Sequence, residues 1–523
     1  MKNMAKCLMV QGTSSDAGKS LLVTALCRIY SKRGYKVAPF KSQNMSLNSY
    51  TTKEDGEIAI AQVLQADAAN VEASIHMNPV LLKPKGEFIS QVIVQGKAVG
   101  DMDFRDYQTN YREKALKAIA ESLNILKEEN DLIFIEGAGS PAEINLRDKD
   151  IANMKIAEMA DAPVLLIADI YKGGVFAQIA GTIMLLEKSQ QDRIKGTVIN
   201  KFIGNADILK PGIEEIEEIS RTPVLGVLPY DNDLKLPEED SASLKNHNFK
   251  TNKPIVIGVI KFPKIANFTD IDPFEYEEDI GIRMIEVHDG IDTENPEIDA
   301  LILPGTRSAT GDMQALKDSG MDLKIKELAE KIPIIGICGG YQILGKSIID
   351  DNKKESNVGT IEGLGLLDIY SEFKREKKIV KQSIAKIDLS KADDLSETND
   401  LIYEIFKNID GEEVRGYELH EGTTYLNSAK ALLKIEKGIG NNDESDFDGA
   451  YSNNIFGSYF HGIFHNYNIR REFLNYLRRK KGIKEYNGED PYQSTKDYSI
   501  EKLAKIVEDN LDMDYIDKLL FEE

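Results

Sequence analysis

The sequence predicts an α/β protein built as two parallel-sheet domains in series. Three observations carry that prediction. Short β-branched runs alternate with helical patterns from Cys7 to about Tyr230, and a second alternation begins at PIVIGVIKF. Between them lies a polar stretch, Asp231 to Lys253, that contains Pro237 and a Glu-Glu-Asp run and reads as a linker. Two glycine-flanked turns, GTSSDAGKS and GICGG, each leave a strand and open a helix, one in each half.

In the first half the strands are expected at CLMVQG, KVAPFK, DLIFIEGAG, PVLLIADI, GTVINKF and PVLGVLP. In the second they are expected at PIVIGVIKF, DALILPGT and IPIIGICGG, with the pattern ending near GSYFHGIFH. The charged segment Ser371 to Lys381 reads as a surface excursion, and Tyr498 to Glu523 as one or two amphipathic helices packed on the body. The resulting division is a domain over 1–232, a second over 253–485, and a C-terminal helical extension over 486–523.

Composition agrees with a folded, water-soluble chain. At 523 residues it exceeds what one core usually organises, and it is 41% hydrophobic and 29% charged. No apolar run reaches the ~18–20 residues that cross a bilayer. Met1 to Gln11 lacks the basic-then-apolar layout of a secretory leader. Cys7, Cys27 and Cys338 are too few for a disulfide framework and have no metal-type spacing, so a reduced, cytoplasmic setting is expected. A net charge of −22 argues against a nucleic-acid partner, and an anionic substrate would need locally concentrated Lys and Arg.

The first turn has the chemistry of a phosphate cradle. Gly12 and Gly18 let backbone N–H groups face phosphate oxygens, with Thr13 and Asp16 between them, and the following helix adds positive potential at its N-terminus. Lys19 would reach the β and γ oxygens, and the Ser20 hydroxyl would bind Mg²⁺. Five residues separate the two glycines where the common P-loop has four. Glu136 ends a strand on the ligand side of the sheet and is the natural acidic partner for the metal. Lys41, after the second strand, reads either as a phosphate ligand or as a solvated lysine.

The second turn has the chemistry of a nucleophile. Small residues on both sides of Cys338 permit a strained strand-to-helix elbow that exposes the sulfur. A helix N-terminus and a nearby base activate such a thiol. Of six histidines, His461 in GSYFHGIFH is the expected base, with His465 the runner-up. Gly305, in LPGTRSATGDM, would join Gly339 in an oxyanion hole, and Gln342 would help bind the substrate amide.

The long loop before Lys19 resembles the dethiobiotin synthetase group of P-loop proteins. Gly-x-Cys-Gly-Gly with a late His-Gly resembles the class I glutamine amidotransferases, many of which place a Glu two residues after the His. Ile463 stands there, and the missing third member is similar to the cobyric acid synthase branch, expected to use a Cys–His pair. Strings along nearly the whole chain resemble that branch: FKSQNMSLNSY, QADAANVEASIHMNPVLLKP, EGAGSPAEINLRDKDIANM, GGVFAQIAGT, NFTDIDPF, GYELHEG and SYFHGIFHN.

The resemblance implies ATP and Mg²⁺ as cofactors, L-glutamine as ammonia donor, and a corrinoid polycarboxylate as substrate. The implied reaction is amidation of four side-chain carboxylates (b, d, e and g) of adenosylcobyrinic acid a,c-diamide. Arg147, Lys172 and Lys201 are then candidates for substrate contact, though each taken singly reads as an ordinary surface charge; Asp148 would position substrate or metal and reads equally as a helix N-cap or turn aspartate. Tyr417 and His420 in GYELHEG carry no role that the residues dictate. Two stretches depart from the family: Tyr171-Lys172 where it usually carries Asp-Arg, and Ile203 and Asn205 where it carries Arg and Asp. Rival readings are a cobyrinic acid a,c-diamide synthase, another glutamine-dependent ligase, or a P-loop switch ATPase, which would need no Cys338.

Overall fold

The computed structural model describes residues 4–85, 88–231, 233–237, 249–375, 377–390 and 401–522. The chain divides into two compact units, Met1–Pro237 with Thr495–Glu523, and Glu238–Ser494. Most of the linker expected over Asp231 to Lys253 lies outside the described residues.

The first unit is a six-stranded, wholly parallel sheet. Its strands are β1 (Lys6–Gly12), β2 (Val37–Phe40), β3 (Leu132–Glu136), β4 (Val164–Asp169), β5 (Ile194–Phe202) and β6 (Val224–Pro229), in the order β6-β5-β4-β1-β3-β2. These are the six strands expected from the sequence. β3 and β4 are buried along their whole length, because helices cover both faces of a parallel sheet. Helix α1 (Lys19–Lys32) starts at Gly18, whose φ of 106° is open to glycine at little cost. A smaller sheet of Gln43–Met45, Val80–Pro84, Ile89–Val94 and Lys97–Asp103 lies within the same unit.

The second unit is again a six-stranded sheet. Its strands are β7 (Ile255–Lys261), β8 (Ile280–Glu286), β9 (Ala300–Leu303), β10 (Ile334–Ile337), β11 (Ala450–Ser452) and β12 (Ile455–Ser458), ordered β8-β7-β9-β10-β12-β11. Only the β11–β12 pair is antiparallel. Helices α2 (Ala309–Ser319) and α3 (Gly339–Leu344) follow β9 and β10, and α4 (Tyr467–Lys480) follows β12.

Ser371 to Lys381 is not an excursion. It runs out of the strand Ile369–Glu372 and into Ile379–Ile387, members of two further four-stranded sheets. Ser371 is buried and shares a 2.7 Å hydrogen bond with Thr424. The C-terminal helices α5 (Pro491–Asn510) and α6 (Met513–Phe521) place Ile500, Leu503, Val507, Leu511, Ile516 and Leu520 in the core of the first unit, with Leu8, Val10 and Leu26.

Candidate active site

Each unit carries one site at the carboxyl edge of its sheet. In the first, β1 delivers the chain into the loop Gly12–Gly18, and the loop closes on Lys19. Lys19 Nζ donates to the carbonyls of Ser14 (2.9 Å) and Gly139 (3.2 Å), which curls the side chain across the loop. A Cβ on Gly18 would lie 2.0 Å from Asn200 Nδ2, which itself donates to Ala17 O at 2.9 Å. β5 thereby braces the loop from beside it. Asp16 adopts φ 58°, and its carbonyl accepts from Lys201 Nζ at 2.6 Å. Thr13 Oγ1 donates to Gln178 Oε1 at 3.1 Å.

Ser20 and Glu136 meet as expected: Ser20 Oγ donates to Glu136 Oε1 at 2.8 Å. A hydroxyl and a carboxylate oxygen form the hard donor pair that Mg²⁺ takes, the rest of its shell being phosphate and water, so these residues fit the ion. Lys41 is neither solvated nor aimed outward. It is buried and forms a 2.8 Å ion pair with the same Oε1, while Gln65 Nε2 donates to Oε2 at 2.6 Å. Sequence reasoning missed Gln65, whose buried amide inside an Ala-rich helix was the available signal.

The candidate substrate residues divide. Lys201 is committed to the phosphate loop and to Asp169 Oδ2 at 3.0 Å. Arg147 donates to the carbonyl of Leu185. Asp148 is exposed on the short helix Ile144–Lys149, and the turn that follows is closed by Asp150, which accepts from the N–H groups of Ala152 and Asn153 at 2.8 Å. Lys172 is exposed beside Tyr171, which stacks on Tyr230 at 5.4 Å. Of the other departures, Ile203 is exposed and the Asn205 side chain accepts from Asp207 N at 3.0 Å.

In the second unit β10 runs straight into Cys338, whose φ of 53° and ψ of −107° lie in a region all but closed to side-chain-bearing residues. Ser458 O holds the Cys338 N–H at 2.8 Å. The turn must be lined by glycine, since a Cβ on Gly340 would sit 2.0 Å from Leu303 O. Sγ is buried, 3.7 Å from Leu419 O.

His461 comes from the loop after β12 and lies beside the sulfur, near enough for the charge of Cys338 to act on its ring. Its Nδ1 lies 2.7 Å from Asp270 Oδ2, and Asp270 Oδ1 accepts from Gly462 N at 2.6 Å. Asp270, from the segment Phe268–Tyr276 rather than from position 463, thus adds a carboxylate to the expected Cys–His pair, so that the three side chains have the geometry of a Cys–His–Asp triad. Burial pushes His461 towards the neutral form. The charges of Asp270 and Cys338 and the hydrogen bond to Asp270 outweigh it, raising the imidazole to about 10.

The remaining second-unit residues close around this triad. A Cβ on Gly305 would lie 2.9 Å from His461 Cε1, and one on Gly339 would lie 2.5 Å from Thr306 Cγ2. Tyr417 stacks on His461 at 5.2 Å and exchanges backbone hydrogen bonds with it. Gln342 Nε2 donates to Tyr459 Oη at 3.0 Å, and His420 lies flat on the Tyr459 ring at 3.7 Å. His465 is not part of the triad: its Nε2 meets Thr269 O at 2.9 Å and steadies the Asp270 segment.

A phosphate loop in one unit and a thiol triad with a stacked amide pocket in the other define a nucleotide-using glutamine amidotransferase. Comparison with known proteins agrees. Residues 8–244 match the CobQ/CobB/MinD/ParA nucleotide binding domain and residues 256–469 the CobB/CobQ-like glutamine amidotransferase domain. The chain is 56% identical over 518 residues to a probable cobyric acid synthase of Methanothermobacter thermautotrophicus, covering 99% of both chains. It is 52% identical to one from Methanosphaera stadtmanae (98% of this chain, 99% of the relative) and 47% to one from Methanococcus maripaludis (98% and 100%). The chain belongs to the cobyric acid synthase family. Among the described residues no helix is long and apolar enough to cross a membrane.

Proposed function

We propose that this enzyme makes adenosylcobyric acid by amidating the b, d, e and g carboxylates of adenosylcobyrinic acid a,c-diamide, with ATP and glutamine, in the cytoplasm. The observation that carries the reading is the Cys338–His461–Asp270 triad in a chain whose other unit holds a P-loop. A carboxylate is a poor electrophile, so ATP activates it as an acyl phosphate. The loop amides and Lys19 neutralise charge on the transferred phosphoryl group. Ser20 and Glu136 are the residues that would hold Mg²⁺, which supplies further charge neutralisation on the phosphates. Lys41 pairs with Glu136 and holds its carboxylate in position.

In the second unit Cys338 attacks the side-chain amide of glutamine, and the imidazolium of His461 protonates the amide nitrogen as its bond to carbon breaks, so that it leaves as neutral ammonia. Gly305 and Gly339 supply oxyanion donors, Gln342 orients the amide, and water then clears the thioester. The ammonia displaces phosphate from the acyl phosphate. Synthetase chemistry falls to residues 1–232 and glutaminase chemistry to 253–485. Corrinoid contact falls to Arg147, Asp148 and Lys172 of the first unit.

Mass spectrometry on the a,c-diamide incubated with ATP and glutamine tests this: four successive amides are expected. Conversion of cobyrinic acid to the diamide with no further amidation would instead mark a diamide synthase.

A further inference from the structure

We infer that Arg307 and Glu421 form the recognition site for the α-amino-acid end of glutamine, Arg307 taking the α-carboxylate and Glu421 the α-ammonium. The inference rests on the glutaminase reading above and deepens it. Both residues are placed by neighbours that touch the reacting centre. Arg307 directly follows Thr306, against which Gly339 of the elbow packs. Glu421 sits between two contacts. Two residues before it, Leu419 O lies 3.7 Å from Cys338 Sγ, and one residue after it, a Cβ on Gly422 would fall 2.1 Å from Gln342 Nε2. Glu421 thus sits between the end of the strand Glu413–His420, which touches the nucleophile, and Gly422, which lies against the residue assigned to the amide.

The two side chains face each other but do not satisfy each other. Arg307 Nη2 and Glu421 Oε1 are 3.9 Å apart, beyond hydrogen-bond length, with the side chains 16% and 27% exposed. Among the described residues Arg307 Nε is buried with no hydrogen-bond partner, a costly state unless a ligand completes it. The neighbouring Glu355 does not cancel the guanidinium, because burial pushes that carboxyl up to about 8. Arg375, another cation near this loop, is already committed to Asp443 at 2.7 Å and to Thr423 at 3.2 Å.

Glutamine has the complementary layout. With its γ-amide at Cys338, its Cα lies roughly 4 Å further out, three carbon–carbon bonds along the chain, and carries one negative and one positive group. A guanidinium is suited to bidentate capture of the first and a carboxylate to the second. Glutamine that binds between them would complete both partners.

The test measures glutamate release by the full chain. Two truncated amides serve as competing ligands: glutaramate, which lacks the α-ammonium, and 4-aminobutanamide, which lacks the α-carboxylate. Arg307→Gln is expected to raise KM for glutamine about 10- to 100-fold with little change in kcat. It should weaken glutaramate binding in parallel and leave 4-aminobutanamide binding as in wild type. Glu421→Gln should show the mirror pattern, and Arg307→Lys should recover part of the loss. Thermal midpoints near wild type show that the variants fold. Wild-type KM in both folded variants, or equal weakening towards all three amides, overturns the inference. A wild-type enzyme that releases no glutamate from glutamine overturns the glutaminase reading itself, and this inference with it.

Discussion

Asp270 Oδ2 stands 2.7 Å from His461 Nδ1 although 191 positions separate the two residues. The carboxylate also accepts from Gly462 N, so it fixes both the ring and the backbone that carries it. Asp270→Asn keeps the shape and removes the charge. Glutamine-dependent kcat is expected to fall roughly 10²-fold or more, since the imidazole loses the partner that sets its tautomer and supports its protonated form. Steady-state glutamate release measures this. Loss of less than a few-fold would mean that Cys338 and His461 act as a pair.

The same contact gives a pH signature. His461 rises from 6.5 to about 10 in the folded protein, so the folded state holds a proton that the unfolded chain gives up. Stability from this group is complete below about 6.5 and is lost as pH climbs through about 10. Wild type should therefore lose thermal stability relative to Asp270→Asn over that interval, and the two melting profiles should converge at its alkaline end. Parallel profiles from pH 6.5 to 10 would sink the assignment.

What was legible in the sequence follows from where each signal is stored. The six strands of the first sheet were readable because each is an unbroken apolar run, as full burial demands. β8 was missed: it lies at the sheet edge, and Arg283 interrupts its apolar residues. Cys338 and the P-loop were readable because their chemistry is local, a glycine-lined turn between strand and helix. Asp270 was not, since a triad member supplied by a distant segment leaves no spacing to read. Its one trace was a buried aspartate inside the apolar run FTDIDPF. Lys41 illustrates the same limit, because an ion pair to Glu136 is made across two strands and appears in neither.

The two sites should separate under mutation. Cys338→Ala removes the thiol, and amidation with glutamine should vanish while ammonia supplied at high pH restores it. Lys19→Ala removes the charge that Ser14 O and Gly139 O hold across the phosphate loop, and neither donor should restore activity. Counting amides on the corrinoid with each donor checks both. Full glutamine-dependent activity in Cys338→Ala would leave the P-loop unit acting without a glutaminase.

A last prediction concerns what holds Asp270 in place. The segment Phe268–Tyr276 ends at Glu277, and that carboxylate is gripped by two arginines of α4. Arg470, fully buried, donates to Glu277 Oε1 at 3.1 Å and to Phe464 O at 2.8 Å, and also pairs with Asp490. Arg478 reaches Glu277 Oε2 at 3.2 Å and forks onto Asp279 at 2.7 and 2.8 Å. Arg470 therefore ties the Asp270 segment to the turn three residues beyond His461. Arg470→Met leaves a buried carboxylate short of a partner and a carbonyl without a donor. Breaking one side of such a network costs about 3–5 kcal/mol, here near the lower figure because Arg478 remains. Arg470→Lys should recover little, since one ammonium cannot span three acceptors that a planar guanidinium reaches together. Denaturant midpoints measure the stability. If the clamp positions the triad, kcat for glutamine should also fall at temperatures where both variants remain folded, with KM nearly unchanged. A stability loss with wild-type kcat would make Arg470 a structural residue alone.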